Sequence, residues 1–450
     1  MLVAIVIVLL IVASVAFHFW SPWYFTPLAS NWGTIDDTIS ITFWVTGIVF
    51  VAVNAFMAYA IWKFRYRREA RAQYEPENKK LEWWLLGVTT VGVAAMLAPG
   101  LFVWAKFVHV PEDAAQVEAL GQQWHWMYRF PGKDGKLGTV DAKLVSDANP
   151  FGMNPKDPNG ADDILIANPE VHLPINKPVK VLLRSKDVLH NFSIAQIRVK
   201  MDLVPGLVTY VWFTPTRTGE FDLLCEELCG IAHFAMRGRM VVEEQAKFDE
   251  WLARQPTYAQ TVAFKGGDAD AGKALYAVCS ACHGVQGEGN VAMNAPKLTG
   301  QGDWYLKRQL HFYKAGARGA HEKDVYGKIM APMAATLTDE AAIDNVVAYI
   351  RTLPDTKVAA SVKGDASNGK ARYAVCGTCH GVDGAGIQAT NAPRLKGLND
   401  WYLVTQLKNF RDGVRGGHPQ DLYGSQMALM AAMLKDDRAI HDLVAYIGSL

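Results

Sequence analysis

Three stretches at the amino end are apolar almost without interruption. Residues 1–35 contain no Asp, Glu, Lys or Arg, and residues 39–62 and 83–105 are likewise uncharged. A helix needs roughly 20 apolar residues to cross a hydrocarbon core of about 30 Å, so each run predicts a membrane span. Pro99-Gly100 falls near the end of the third run, where a membrane helix tolerates it. Ser14-Val15-Ala16 in the first run reads as a signal-peptidase site, but no basic segment precedes it. We therefore read that run as a retained span followed by an outer loop. Residues 117–242 show a different pattern, with short β-branched runs such as 179–184 and 207–213 punctuated by Pro and Gly, as in a Greek-key sandwich. Beyond Gly267 the period changes again. Ile and Val recur at helical spacing in residues 339–352 and 436–450, which predicts helices packed on the first helix of their own domains.

The chain's 450 residues exceed one ordinary core and suggest about three domains. A net charge of +1 provides no global field to attract nucleic acid. Charge does orient the spans. Lys63, Arg65, Arg67, Arg68, Arg71, Lys79 and Lys80 lie between the second and third apolar runs. The positive-inside rule puts this loop in the cytoplasm and everything after Ala105 on the outer side. The segments are expected at 1–35 (first span and outer loop), 36–110 (transmembrane hairpin), 111–248 (sandwich), and 265–355 and 362–450 (two helical domains). Residues 255–261 and 354–361 serve as linkers.

The six cysteines fall in three close pairs: Cys225 and Cys229, Cys279 and Cys282, Cys376 and Cys379. Each pair is too close to staple a useful loop, and each has a His nearby, which argues for metal or haem chemistry over disulfides. The first pair lies in Cys225-Glu-Glu-Leu-Cys229-Gly-Ile-Ala-His233-Phe-Ala-Met236. One loop thus offers two thiolates, an imidazole and a thioether, a copper ligand set. His190, in Asp187-Val-Leu-His190, is placed to supply a second imidazole. A blue-copper site uses one thiolate, whereas two thiolates in one loop can bridge two coppers, each with its own His. Zinc favours more thiolates or a Cys2His2 set and does not recruit Met.

The other pairs belong to a repeat. Cys279-Ser-Ala-Cys282-His283 recurs as Cys376-Gly-Thr-Cys379-His380, 97 residues later, and the offset holds through Asn294-Ala-Pro296 and Asn391-Ala-Pro393 to Val347-Ala-Tyr-Ile350 and Val444-Ala-Tyr-Ile447. This is a domain duplication. Cys-x-x-Cys-His is the c-type haem attachment signature, with thioethers from both Cys and His283 or His380 as proximal iron ligand. Met330 and Met333 in the first copy, and Met427 and Met430 in the second, are aligned candidates for the distal ligand. A thioether there raises the reduction potential. His321 and His418 also align, in turns farther upstream.

The copper loop with its upstream Asp-Val-x-His resembles subunit II of cytochrome c oxidase, over about residues 36–245. The resemblance implies a cupredoxin-like sandwich holding a dinuclear copper centre (CuA). Cys225 and Cys229 would bridge, His190 and His233 would each bind one copper, Met236 would be a weak ligand of one and the Glu227 carbonyl of the other. It further implies that the Glu227 side chain reaches a magnesium ion shared with subunit I. Gly121-Gln-Gln-Trp124-His-Trp126 resembles the family's aromatic stretch, with Trp124 as the residue where electrons enter. Glu82, in Lys80-Leu-Glu82, resembles the glutamate at the mouth of a proton channel, although Leu85 stands where the family often has Trp. The repeats resemble the halves of diheme cytochrome c4, in which the ligand Met precedes by seven residues the Leu opening the last helix. Leu337 and Leu434 in that role select Met330 and Met427. Pro296 and Pro393 resemble the proline whose carbonyl orients the proximal His.

The expected whole is a multidomain membrane protein: transmembrane helices, a cupredoxin-like β-sandwich and two all-α class I cytochrome c domains. The resemblance implies an oxidase of the caa3 type with a second haem domain, in a bacterial inner membrane. Its expected partners are subunit I, subunit III, membrane lipid and an outer-side donor such as cytochrome c or a bc1-type complex. Oxygen chemistry belongs to subunit I, since His18 is the only His in the spans. Two alternatives use the same cofactors: the matching subunit of a CuA-containing nitric oxide reductase, and a membrane-tethered carrier without a catalytic partner.

Overall fold

The computed structural model describes residues 1–21, 26–71, 74, 76–146, 149–264 and 266–450. Lys265, the expected start of the first haem domain, lies outside the described residues. The three apolar runs form α1 (Leu2–Trp20), α2 (Gly33–Lys63) and α3 (Lys79–Val108), each long and apolar enough to cross a membrane. α1 is shorter than its apolar run, whereas α2 and α3 extend past theirs by recruiting polar ends. Asn78 caps α3, its side chain accepting from the Leu81 amide at 3.1 Å, and α3 continues through Pro99. Their large apolar side chains face outward, as lipid-facing helices require.

The segment from Ala29 to Asp36 is fixed to the outer domain. Trp32 is fully buried, and its Nε1 donates to the Trp212 carbonyl at 2.9 Å. Ser30 Oγ donates to the Ile197 carbonyl at 2.8 Å, and Arg198 Nε donates to Asp36 Oδ1 at 2.6 Å. The start of α2 is thereby anchored against the sandwich.

That sandwich contains β1 (Ala115–Gln122), β2 (His125–Phe130), β3 (Ile164–Ile166), β4 (Glu170–Pro174), β5 (Val179–Ser185), β6 (His190–Ser193), β7 (Lys200–Leu203), β8 (Thr209–Phe213), β9 (Gly219–Leu224) and β10 (Arg237–Glu243). The sheet orders are β3-β2-β1-β5-β8 and β4-β10-β9-β6-β7. β1 runs parallel to β5 and β10 parallel to β4, while the other pairs are antiparallel. Alternation decides the inner face: Val179, Val181 and Leu183 on β5 are buried while Lys180 and Leu182 are only half-buried. Between the sheets lie Trp126, Tyr128, Phe192 and Phe213, each aromatic contributing about 1.5–3 kcal/mol through burial. The run expected at 207–213 shortens to Thr209–Phe213 because the Leu207 amide closes a turn onto the Val204 carbonyl at 3.0 Å. A buried ion network pins one edge. Arg129 donates to Glu118 Oε2 at 2.6 Å and to Asp163 Oδ2 at 2.8 Å, and Arg184 reaches Glu118 Oε1 at 2.7 Å.

Two short helices follow, α4 (Gln245–Ala253) and α5 (Tyr258–Ala263). The duplicated region then folds twice into the same four helices: α6 (Ala269–His283), α7 (Asp303–Lys314), α8 (Val325–Ala335) and α9 (Glu340–Thr352), then α10 (Ala366–His380), α11 (Asp400–Arg411), α12 (Leu422–Ala431) and α13 (Asp437–Ile447). α9 buries Ile343, Val346, Val347 and Ile350, the helical spacing seen in the sequence. It crosses α6 where α6 has no side chain: a Cβ on Gly272 would lie 1.9 Å from the Asn345 carbonyl oxygen. Gly369 meets the Asp442 carbonyl oxygen in the same way at 2.0 Å. The haem-attachment helix and the last helix can therefore pack backbone to backbone in both copies.

Candidate metal and haem sites

The copper loop leaves β9, turns at Gly230 and returns into β10. Gly230 is needed there because its φ of 117° disfavours any side chain. The loop meets the start of β6, which supplies His190. In the cluster, Cys225 Sγ and Cys229 Sγ are 3.7 Å apart. His190 Nδ1 is 3.9 Å from Cys225 Sγ, and His233 Nδ1 is 3.4 Å from Cys229 Sγ. Met236 Sδ is 3.8 Å from Cys229 Sγ, and the Glu227 carbonyl oxygen is 3.2 Å from Cys225 Sγ. All six residues named from the sequence for this site come together.

Three features show that these donors fit copper. Both cysteines, His190 and Met236 are buried, which keeps most of the donor set away from water. The donors are sulfur and imidazole nitrogen, with one carbonyl oxygen, the soft set that copper favours. The two thiols also cannot share the site comfortably as thiolates without a cation. The hydrogen bond from Cys229 holds the Cys225 thiol well below its ordinary value, and the same contact pushes Cys229 well above its own. Asp187 orients His190: its Oδ1 lies 2.8 Å from His190 Nε2, which turns Nδ1 toward the sulfurs, and its Oδ2 accepts from the Gln123 amide at 2.7 Å. A carboxylate behind a ligating His is a recurrent support. Asp187 opens the Asp187-Val-Leu-His190 segment, and its role follows from this contact.

Trp124 packs directly behind the loop. Its Nε1 donates to the Cys229 carbonyl at 3.1 Å, and Gln123 Nε2 donates to the same oxygen at 2.7 Å.

Each helical domain encloses a cavity, about 390 Å³ in the first and about 320 Å³ in the second. Cys279, Cys282, His283, Met330 and Met333 line the first, and Cys376, Cys379, His380, Met427 and Met430 line the second. His283 Nδ1 lies 2.7 Å from the Pro296 oxygen, and His380 Nδ1 lies 2.7 Å from the Pro393 oxygen. Each contact leaves Nε2 available for iron. Burial holds both imidazoles below their ordinary pKa, the neutral form that a metal needs. These residues fit a covalently attached haem. The two methionines differ in surroundings: Met427 packs on its own domain's core, whereas Met430 packs against the core of the sandwich. His321 and His418 line neither cavity. Each instead closes a turn, its Nδ1 accepting from the Lys323 or Gln420 amide at 3.2 Å.

Two contacts between domains have no local signal in the sequence pattern. The second helical domain is seated on the sandwich. Gln426 Nε2 donates to the Trp124 carbonyl at 2.9 Å, Tyr423 hydroxyl donates to the Ala167 carbonyl at 2.8 Å, and Gln122 Nε2 donates to the Ala389 carbonyl. Trp124, Ala232 and Ala235 consequently line the second cavity. The helical domains also share a polar wall of pseudo-twofold symmetry. Arg318 donates to Gln309 at 2.7 Å and to the Tyr402 hydroxyl at 2.9 Å. Its repeat mate Arg415 donates to Gln406 at 2.8 Å and to the Tyr305 hydroxyl at 3.1 Å. Tyr305, Gln309, Tyr402 and Gln406 line both cavities. The signal was present in the sequence as identical polar residues at the repeat offset. Glu82 lies apart from all of this, exposed on the first turn of α3.

Residues 115–244 match the family model described as cytochrome C oxidase subunit II, periplasmic domain. Residues 269–354 and 366–450 match the cytochrome c model. An alternative cytochrome c oxidase subunit 2 from Bradyrhizobium diazoefficiens is 58% identical over 259 residues, covering 58% of this chain and 94% of that protein. A cytochrome c4 from Pseudomonas aeruginosa is 35% identical over 162 residues, covering 34% of this chain and 76% of that protein. The solved periplasmic domain of subunit II of cytochrome oxidase from Bradyrhizobium japonicum has 28% identity, covers 32% of this chain and 95% of its own, and superposes with a TM-score of 0.24. Three apolar helices ahead of a periplasmic-type domain make this a membrane-anchored protein with its folded domains on the outer side. Sandwich, anchor and tandem repeat together place the chain in the cytochrome c oxidase subunit II family, extended at its carboxyl end by two cytochrome c domains.

Proposed function

We propose that this chain is the electron-input subunit of a proton-pumping haem-copper oxidase, in which the second cytochrome domain, Trp124 and the copper loop form one continuous path. Cys225, Cys229, His190, His233, Met236 and the Glu227 carbonyl would hold a dinuclear copper centre. Cys279, Cys282, His283 and Met330 hold one haem c, and Cys376, Cys379, His380 and Met427 hold the other. When bound, these groups each accept and release an electron without a substrate position. The chain's own residues fix their spacing and exclude water. Asp187 holds His190, the Pro296 and Pro393 carbonyls hold the proximal histidines, and Trp124 spans from the second haem cavity to the Cys229 carbonyl.

That last observation carries the reading, because one aromatic side chain touches both sites. Electrons then leave the copper domain for the catalytic subunit, where oxygen is reduced. In the finer reading, the Glu227 carboxylate binds a magnesium ion shared with subunit I and Glu82 stands at a proton-channel mouth. Subunit III completes the complex in a bacterial inner membrane, and the donor is a cytochrome c or bc1-type complex.

The test is rapid mixing of the purified oxidase with a reductant, following haem and copper absorption separately. Trp124→Leu is expected to keep the wild-type content of two coppers and two c-type haems. It should slow copper reduction at least about tenfold, equal to about 1.4 kcal/mol of barrier. Copper reduction at the wild-type rate would overturn the role of Trp124. Nitric oxide reduction without oxygen uptake would move the chain to the reductase reading.

A further inference from the structure

The duplication lets one face be compared in two settings. In the second cytochrome domain, the mouth of the haem cavity is closed by the copper domain, through Gln426, Tyr423 and the packing of Cys379 and Met430 on the sandwich core. Six positions define that mouth: Val375, Thr390, Leu422, Tyr423, Gln426 and Met430, all of them half-buried. Their repeat mates are Val278, Met293, Val325, Tyr326, Ile329 and Met333. Every one of these is exposed, at 49%, 49%, 59%, 47%, 58% and 38% respectively. Five of them, all but Val325, line the first haem cavity. The bare copy is also the more apolar: Met293 and Ile329 stand where the covered copy has Thr390 and Gln426. A contiguous apolar face around a cavity mouth marks an interaction surface.

Its partner can be specified by chemistry. What sits on this face in the sister domain is itself a redox domain, with Trp124 and the metal loop turned toward the cavity. The first cytochrome domain is also electrically balanced, with nine acidic and nine basic residues between Gly266 and Pro354. Such a domain carries no net charge to steer an oppositely charged partner. We propose that this face of the first cytochrome domain docks the electron donor, a redox protein whose own cofactor edge is ringed by apolar, uncharged side chains. This rests on the reading that His283 and its neighbours hold a haem. The step is a one-electron transfer: the donor is oxidised, the first domain is reduced, and no bond forms or breaks.

The test uses the intact oxidase in lipid nanodiscs and two soluble monohaem cytochromes c as probes, one with an uncharged apolar haem edge and one ringed by lysines. Binding is measured at equilibrium at two salt concentrations. Val325→Lys and Ile329→Lys are expected to raise the dissociation constant of the apolar-edged probe at least about tenfold, with little salt dependence in the wild type. Val262→Lys, exposed on α5, should leave it unchanged. Oxygen uptake driven by ascorbate and a small diffusible mediator should persist in Val325→Lys and Val262→Lys. If the patch variants bind the apolar-edged probe as wild type does, the docking proposal fails while the cofactor reading stands. Tighter, strongly salt-dependent binding of the lysine-ringed probe also overturns it. If the wild-type complex contains no c-type haem and mediator-driven uptake leaves this chain unreduced, the underlying reading fails instead.

Discussion

Gly230 couples the copper loop to Trp124, and its replacement separates two kinds of cost. A methyl group there would lie 2.8 Å from Gln123 Nε2 and 3.1 Å from Trp124 Cζ2. Both side chains must then retreat from the Cys229 carbonyl, which accepts from them at 2.7 and 3.1 Å. Two hydrogen bonds at about 0.5–1.5 kcal/mol each give about 1–3 kcal/mol. The φ of 117° adds backbone strain of about 1–3 kcal/mol for any side chain. Gly206 provides the control. Its φ is 83° and a methyl group there would meet nothing within 4 Å, so Gly206→Ala carries the strain alone. We expect Gly230→Ala to destabilise the copper domain by about 1–3 kcal/mol more than Gly206→Ala. The readout is the copper-thiolate absorption of the full-length chain during guanidinium titration. Copper reduction after rapid mixing should slow only in Gly230→Ala. Equal destabilisation of the two variants would refute the idea that Gln123 and Trp124 brace the loop.

Three further outcomes are expected. Arg129→Met leaves Glu118 and Asp163 buried with one partner fewer each and should cost about 3–5 kcal/mol, read as a lower denaturation midpoint of the sandwich. Burial pulls His172 down, but its contacts with Glu170 at 3.1 Å and Glu243 at 2.7 Å raise its pKa overall. The protonated form is therefore favoured by folding, so this stabilisation is full below the ordinary imidazole pKa and disappears as pH rises through the raised one. His172→Gln should flatten that decline in a series of unfolding midpoints from acid to alkaline pH. Met427→Ala should remove thioether ligation and lower the potential of the second haem, whereas Met430→Ala should leave the spectrum of the haem intact; the reverse pattern in redox titrations would exchange their roles.

The grouping of the donor residues was legible wherever they lay close in sequence. Cys225 to Met236 occupy twelve consecutive positions, so their shared fate needs no tertiary information, and the Cys-x-x-Cys-His repeat declares its own register. The spans were equally plain, because lipid demands unbroken apolarity. Legibility ended where function depended on one domain meeting another. Nothing in the neighbourhood of Gln426 announces a bond to the Trp124 carbonyl 302 positions away. The Arg318 and Arg415 wall shows the intermediate case: the aligned Tyr, Gln and Arg were visible, but their cross-pairing follows from the rotation that relates the two copies. Strand ends were blurred for a simpler reason. Leu207 and Val208 have strand-forming side chains, but the turn at Gly206 has its own hydrogen bond, and both remain exposed.

The seating of the second cytochrome domain over Trp124 also has a kinetic meaning. A mobile carrier visiting the sandwich would deliver electrons at a rate set by its concentration. A tethered carrier already resting there replaces diffusion with a fixed effective concentration, so that transfer becomes a unimolecular event, indifferent to how much carrier the compartment holds. On the proposed path, supply and demand would then meet at a single collision, between the first cytochrome domain and its donor. On that path, scarcity of donor would be felt there alone.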